Sequence, residues 1–424
     1  MPSSVEALLA FLLAGFLALL LVPLTDRLAR RVGAIDRPNE RSLHGRPTPR
    51  LGGLAILAGV VVAAIVFLPW DAETRAILAG AALIALVGFL DDVHELAAGP
   101  KLAGQVIAVI VPVAAGVTVE SFTFPFLGRV DPGSVELFAL PGDGAVDLGD
   151  VATVIGIVAV INVINLIDGV DGLAAGVCLI SGVALAVIAL SLDRSAAGIL
   201  AALTAGASLG FLRHGFPPAT TFMGDTGSNL LGFLLGVVAV QGALKTNAVI
   251  ALFLPLIILA VPILDTGFVV AKRLKYRRPI YRADTWHFHH RMANIGFSQR
   301  RTLAYLYGWT LVMAGLGLAL RFVPYSDDHG DFDLFWSAVI GACGVAALGA
   351  SVYLVEVLEI LKLRRVRLSQ VVSLRRDAGR PIPPTGEVDA AVARELETGS
   401  FPAVDPETGE FEAVRPEPEE TPRR

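Results

Sequence analysis

Long apolar runs alternate with short polar interruptions along the chain, and the runs are too long for the strands or core helices of a soluble domain. Eleven of them lie near residues 5 to 25, 51 to 70, 76 to 91, 102 to 118, 151 to 167, 172 to 192, 196 to 213, 228 to 244, 247 to 271, 302 to 322 and 334 to 361. A helix needs about 20 apolar residues to cross a bilayer. The pattern therefore predicts an all-α polytopic membrane protein with about eleven transmembrane helices. No Lys or Arg precedes the first run, and arginines crowd its far side where a signal-peptide cleavage site would need small residues. That run is read as a retained span.

Composition agrees with this class. Hydrophobic residues make up 54% of the 424 and charged residues 17%, with a mean hydropathy of +0.66, far from the soluble average. No nucleic-acid partner is expected. Cys178 and Cys343 both fall inside predicted spans, where a small buried hydrophobe is their ordinary role.

Basic residues set the orientation. The first loop carries Arg27, Arg30, Arg31, Arg37, Arg41, Arg46 and Arg50. The loop from 272 to 301 holds Lys272, Arg273, Lys275, Arg277, Arg278, Arg282, Arg291, Arg300 and Arg301 against the single acid Asp284, whereas the long loop from 119 to 150 has six acids and only Arg129. With eleven spans, every basic cluster lands inside once the N-terminus is placed outside and the C-terminus in the cytoplasm. Residues 1 to 365 are expected to form the membrane domain and 366 to 424 a cytoplasmic tail. Beyond about residue 378 that tail turns to Pro, Glu and Gly, with too little apolar content to bury a core. The formal net charge of −5 is carried by this tail and does not describe the membrane body.

Ionisable side chains at membrane depth cost several kcal/mol and mark candidate function. Four polar islands stand out. "FLDDVHEL" (89 to 96) puts Asp91 and Asp92 at the end of the third run, where paired carboxylates need a cation, a proton or a metal beside them. "NVINLIDGVDGLAAG" (162 to 176) spaces Asn162, Asn165, Asp168 and Asp171 three apart, so neighbours share a helix face. "TFMGDTGSNLLG" (221 to 232) leads into the eighth run, with Thr226 and Ser228 as candidate caps and Asp225 suited to a hard metal at a helix start that also suits phosphate. "RRPIYRADTWHFHHRM" (277 to 292) gathers three of the chain's 7 histidines with arginines; without a Cys nearby it fits phosphate oxygens better than structural zinc. A topogenic basic loop would explain the arginines of this stretch but not its histidines. Span alternation brings all four islands to the cytoplasmic face. Such a site fits a soluble anionic substrate meeting a lipid one, with Mg²⁺ between them.

At these residues, together with "DRPNERSLHGRPTPRLGG" (36 to 53), the sequence resembles the polyprenyl-phosphate N-acetylhexosamine-1-phosphate transferase family, glycosyltransferase family 4, whose superfamily includes the phospho-N-acetylmuramoyl-pentapeptide transferases. "HFHHR" resembles the branch of bacterial enzymes that use UDP-N-acetylglucosamine; the residue after the "RAD" acid, often basic in that branch, is Thr285 here. The resemblance implies transfer of a sugar 1-phosphate from a UDP-N-acetylhexosamine to undecaprenyl phosphate with release of UMP. It implies Mg²⁺, with Mn²⁺ as the alternative, held by Asp225 with Asn165. Asp91 and Asp92 would sit beside the attacking phosphate, with His290 the further catalytic candidate. Asp168 and Asp171 would meet the nucleotide or sugar, Arg282, His287, His289 and Arg291 would grip the diphosphate and sugar, and Lys101 and the arginines of the first loop would meet the lipid phosphate. A homodimer is compatible with the same resemblance. A transporter is the rival class; it would place polar residues at mid-span with access from both faces, whereas these islands sit at one edge.

Overall fold

The computed structural model describes residues 3–37, 47–124, 128–139, 145–244, 253–275, 292, 296–324, 333–349 and 351–352. They fold as a helical assembly: α1 (Ser3–Val32), α2 (Gly53–Phe67), α3 (Ala72–His94), α4 (Ala98–Ala114), α5 (Leu148–Ile167), α6 (Leu173–Ser191), α7 (Ser195–Gly215), α8 (Gly224–Ala239), α9 (Phe253–Ile258), α10 (Ala260–Lys275), α11 (Gln299–Phe322) and α12 (Leu334–Gly349). Six of these, α1, α3, α5, α6, α7 and α11, are long and apolar enough to cross a membrane. The shorter α2, α4 and α12 are also apolar. A 3-10 turn (Pro132–Ser134), a π-helical turn (Val240–Leu244) and three antiparallel two-stranded ribbons accompany them. The ribbon of β1 (Ile35–Asp36) and β2 (Thr48–Pro49) joins α1 to α2; β3 (Phe122–Phe124) pairs with β4 (Gly128–Val130), and β5 (Glu136–Ala139) with β6 (Ala145–Asp147).

The segment 119 to 150, read from sequence only as a long acidic loop, thus carries two of these ribbons, and two of its acids have local work. Asp147 and Asp150 form a reciprocal capping box at the start of α5, with Asp150 N–H donating to Asp147 Oδ1 at 2.8 Å and Asp147 N–H to Asp150 Oδ2 at 3.2 Å. The ninth apolar run is two helices, not one, and its first residues lie outside those described. Pro262 has no N–H to offer the Ile258 carbonyl. Ser181 Oγ donates to that carbonyl instead, at 3.4 Å.

α8 lies at the centre. Its sequence "LLGFLLGVVA" is apolar on all sides, as a helix surrounded by others must be, and every residue from Thr226 to Ala239 is buried. α3 and α5 flank it, with α2, α6 and α7 packed around. Glycines permit the approach: a Cβ on Gly53 would fall 2.1 Å from the Gly227 nitrogen, and one on Gly232 would fall 2.6 Å from Ile161 Cα. Lipid gives helices no hydrophobic reason to associate, so such close backbone packing must supply the attraction.

The same device joins α1 to α7. α1 buries Ala7, Ala10, Ala14 and Ala18, while Leu8, Leu12, Phe16 and Leu20 on its other side stay exposed. A Cβ on Gly206 would sit 2.0 Å from the Phe11 carbonyl oxygen, and one on Gly210 equally close to that of Gly15. Gly206→Leu must therefore push α1 off α7. The expected loss is about 3 kcal/mol, in line with overpacked cores, read as a lower unfolding midpoint of the purified protein in detergent.

Candidate active site

α3 and α5 end, and α4 and α8 begin, at the same end of the assembly, so polar residues at those termini converge. Lys101, in the first turn of α4, stands at their centre. Its Nζ lies 2.8 Å from Asp91 Oδ2, 2.9 Å from Asp225 Oδ2 and 3.3 Å from Asn165 Oδ1. Asn165 Nδ2 donates to Asp225 Oδ1 and, at 2.9 Å, to Ser228 Oγ. Two carboxylates and an amide from three helices thus meet one ammonium, which offsets the repulsion that Asp91 and Asp225 would otherwise feel.

The adjacent Asp91 and Asp92 have different partners. Asp91 also accepts the Leu96 N–H at 2.7 Å, just past the end of α3. Asp92, only 4% exposed, turns to the start of α8 and accepts from the N–H groups of Asp225 and Thr226, both at 2.9 Å, and from Thr226 Oγ1 at 2.6 Å. A carboxylate from another helix thus caps α8. The expected capping by Thr226 and Ser228 gives way to this arrangement, because α8 begins at Gly224 and both residues fall inside the helix. Thr226 reinforces the Asp92 cap, and Ser228 Oγ donates to the Gly224 carbonyl at 3.1 Å.

One turn deeper, α4, α5 and α8 carry a layer of amides. Asn162 Nδ2 donates to Gln105 Oε1 at 2.8 Å, and Gln105 Nε2 lies 3.4 Å from Asn162 Oδ1 and from Asn229 Oδ1. Asn162 belonged to the sequence pattern; Gln105 and Asn229 did not stand out. The signal was spacing, since Lys101 and Gln105, and likewise Asp225 and Asn229, are one helical turn apart.

Beside this cluster opens a cavity of about 280 Å³, lined by Asp36, Arg50, Asp92, Asn165, the 168–172 turn and the stretch that enters α8, through Asp225. Asp168 and Asp171 both reach its wall. Asp171 Oδ2 accepts the Ala219 N–H at 3.0 Å, and Tyr307 Oη donates to the Gly172 carbonyl at 2.5 Å, so the turn is held from two sides. Burial, then the charges of Asp225, Asp92 and Asp171, push the Asp168 carboxyl well above the usual carboxylate range. Of the residues read from sequence, Asp91, Asp92, Lys101, Asn165, Asp168, Asp171 and Asp225 are gathered at this end. Arg282, His287, His289, His290 and Arg291 lie outside the described residues.

Among the described residues no group of three His, Cys, Asp or Glu side chains is close enough to enclose a metal ion. Magnesium does not need one: it is bound through one or two carboxylates, with waters and substrate phosphates completing its shell. Asp225 and Asn165 bring a carboxylate and an amide oxygen to the cavity wall, and these hard donors fit such an ion.

Multiple apolar helices with a polar, carboxylate-lined cavity at one end define a multi-pass membrane protein with the makings of an enzyme. The model of glycosyl transferase family 4 matches residues 74–243, from the start of α3 to the end of α8. The chain is 38% identical over 305 residues to a probable undecaprenyl-phosphate N-acetylglucosaminyl 1-phosphate transferase of Bacillus subtilis, covering 72% of this chain and 82% of that protein. It is 34% identical over 326 residues to the decaprenyl-phosphate N-acetylglucosaminephosphotransferase of Mycolicibacterium smegmatis (70% and 78% covered). It is 37% identical over 349 residues to a phospho-N-acetylmuramoyl-pentapeptide-transferase of Desulforudis audaxviator (75% and 98% covered). This chain belongs to glycosyl transferase family 4.

Proposed function

We propose that the protein transfers N-acetylglucosamine 1-phosphate from UDP-N-acetylglucosamine to undecaprenyl phosphate, releasing UMP, as the first membrane step of a cell-envelope glycan pathway. The observation that carries this reading is the meeting of Asp91, Lys101, Asn165 and Asp225 beside a cavity at one end of an apolar helix assembly. The names of the relatives from Bacillus subtilis and Mycolicibacterium smegmatis support the sugar and the lipid class. The N-terminus is outside, eleven helices span the plasma membrane, and residues 366 to 424 form a cytoplasmic tail. In favour of this orientation, Asp26 near the end of α1 accepts from Thr221 Oγ1, at the cavity wall, at 2.8 Å, so Arg27, Arg30 and Arg31 share the end that carries the site.

In this reading a lipid phosphate oxygen attacks the sugar-proximal phosphorus and UMP leaves. Both partners are anions, so the protein's task is positioning and charge neutralisation. Asp225 and Asn165 would hold Mg²⁺, which when bound neutralises charge on the phosphates. Lys101 holds the Asp91 and Asp225 carboxylates in place, and Asp91 orients the attacking phosphate. Asp92 fixes the start of α8, and with it the position of Asp225. Asp168 and Asp171 bind the nucleotide or sugar, while Arg282, His287, His289, His290 and Arg291 grip the diphosphate.

The test is UMP release by purified protein in detergent with undecaprenyl phosphate and Mg²⁺. Parallel reactions compare UDP-N-acetylglucosamine, its galacto epimer and UDP-N-acetylmuramoyl-pentapeptide. The expected result is UMP release with the first donor that requires both lipid and metal. Release only with the pentapeptide donor would favour the activity named for the Desulforudis audaxviator relative, and silence with every donor from folded protein would remove the transferase reading.

A further inference from the structure

The cavity wall is strongly acidic, yet the substrates proposed for it are anions. Among the described residues that line it, Asp36, Asp92, Asp168, Asp171 and Asp225 are acidic and Arg50 alone is basic. Lys101 is engaged by Asp91, Asp225 and Asn165 and does not line the cavity.

Arg50 is built onto a fixed platform. Its N–H donates to the Ala34 carbonyl at 3.1 Å. The flanking backbone pairs with the approach to α8: Phe222 N–H donates to Pro49 O at 2.8 Å, Gly52 N–H to Phe222 O at 3.0 Å and Gly53 N–H to Met223 O at 2.9 Å. Gly224 packs so closely on this strip that a Cβ there would sit 2.2 Å from the Arg50 carbonyl oxygen; its φ of +67° also favours glycine. Arg50 is thereby tied to the two residues that precede Gly224 and Asp225.

The side chain is aimed as well as anchored. Arg50 Nε donates to the Asp92 carbonyl at 2.9 Å. Among the described residues its ion-pair partner is Glu95, 3.8 Å from Nη2 and with a side chain 85% exposed. An ion pair that long and that exposed holds a guanidinium weakly, whereas a phosphate engages its planar fork with two parallel hydrogen bonds. We propose that Arg50 binds a phosphate oxyanion in this cavity, either the diphosphate of a nucleotide-sugar or the head group of a polyprenyl phosphate. The inference rests on the transferase reading above.

The test measures UMP release by wild type, R50M, R50Q and E95Q while donor and lipid are varied separately. Unfolding midpoints are recorded in parallel. For R50M we expect a rise of about tenfold or more in one KM, the loss typical of a hydrogen bond to a charged group, with a smaller fall in kcat. A rise in the KM for UDP-N-acetylglucosamine assigns Arg50 to the diphosphate, and a rise in that for undecaprenyl phosphate assigns it to the lipid head group. E95Q, which removes only the exposed partner, should keep both values within about twofold. R50Q, closer to arginine in shape, takes the place of R50M should the latter fail to fold. Unchanged KM values in a folded, active variant, whether or not kcat falls, would overturn the inference and leave Arg50 as a strut for the Asp92 carbonyl. A wild-type protein that releases no UMP would overturn the transferase reading itself.

Discussion

Asp225→Ala is expected to reduce UMP release on the order of a thousandfold, the scale seen when a group that stabilises developing charge is removed from a closed site, with little change in the unfolding midpoint. The separation of these effects follows from where the bonds lie. Asp225 offers its carboxylate to Lys101 and Asn165, but the cap of α8 uses its backbone N–H and the Asp92 side chain, which the substitution spares. Lys101 keeps Asp91 at 2.8 Å, so the ammonium is not left without a carboxylate. Asp225→Asn should be nearly as inactive, because it preserves the shape of the side chain while removing the charge that suits a hard cation. Activity within tenfold of wild type in either variant would take Asp225 out of the metal role. A collapse of the unfolding midpoint would instead make it a structural residue.

The helices were largely legible in the sequence because a bilayer demands long apolar runs, and each run has a helix at its place. The limits of that reading are equally physical. The break between α9 and α10 at Leu259, three residues before Pro262, hides inside a continuous apolar run, because hydropathy does not register a missing N–H. The central place of α8 was not visible either: its run resembles its neighbours, and burial against protein or against lipid calls for the same apolar side chains.

The polar islands announced themselves by interrupting apolar runs, and Asp91, Asn165 and Asp225 proved to be neighbours. What each one touches was not legible. Asp91 and Asp92 are adjacent in the chain and identical in type, yet one faces an ammonium and the other a helix start 133 positions away. From sequence, Lys101 reads as a partner of the lipid phosphate, not of Asp91 and Asp225, and the strip at 49–53 as part of the arginine-rich first loop. Their importance depends on long-range contacts that no local pattern encodes.

Asp92→Ala is the second large effect, and it should differ in kind from the first. Removing the carboxylate leaves two backbone N–H groups and a hydroxyl without their acceptor at the start of a helix buried from Thr226 onward. Buried donors left unsatisfied cost about 1–3 kcal/mol each, and water entering the gap would recover part of that, so a net loss of about 3 kcal/mol is expected. Turnover should fall as well, since the first turn of α8 carries Asp225. Asp92→Asn offers little rescue: one of its two acceptor oxygens becomes an amide that can only donate, and it would face the N–H of Asp225 or of Thr226. Asp91→Ala provides the contrast, losing the Lys101 ion pair and the Leu96 N–H bond but leaving the cap of α8 intact. Unfolding midpoints and UMP release measured together on the three variants separate the roles. A depressed midpoint for both Asp92 variants, against a midpoint near wild type with lost turnover for Asp91→Ala, assigns the cap to Asp92. An unchanged midpoint with lost turnover in Asp92→Ala would move that carboxylate into the chemistry, beside the attacking phosphate.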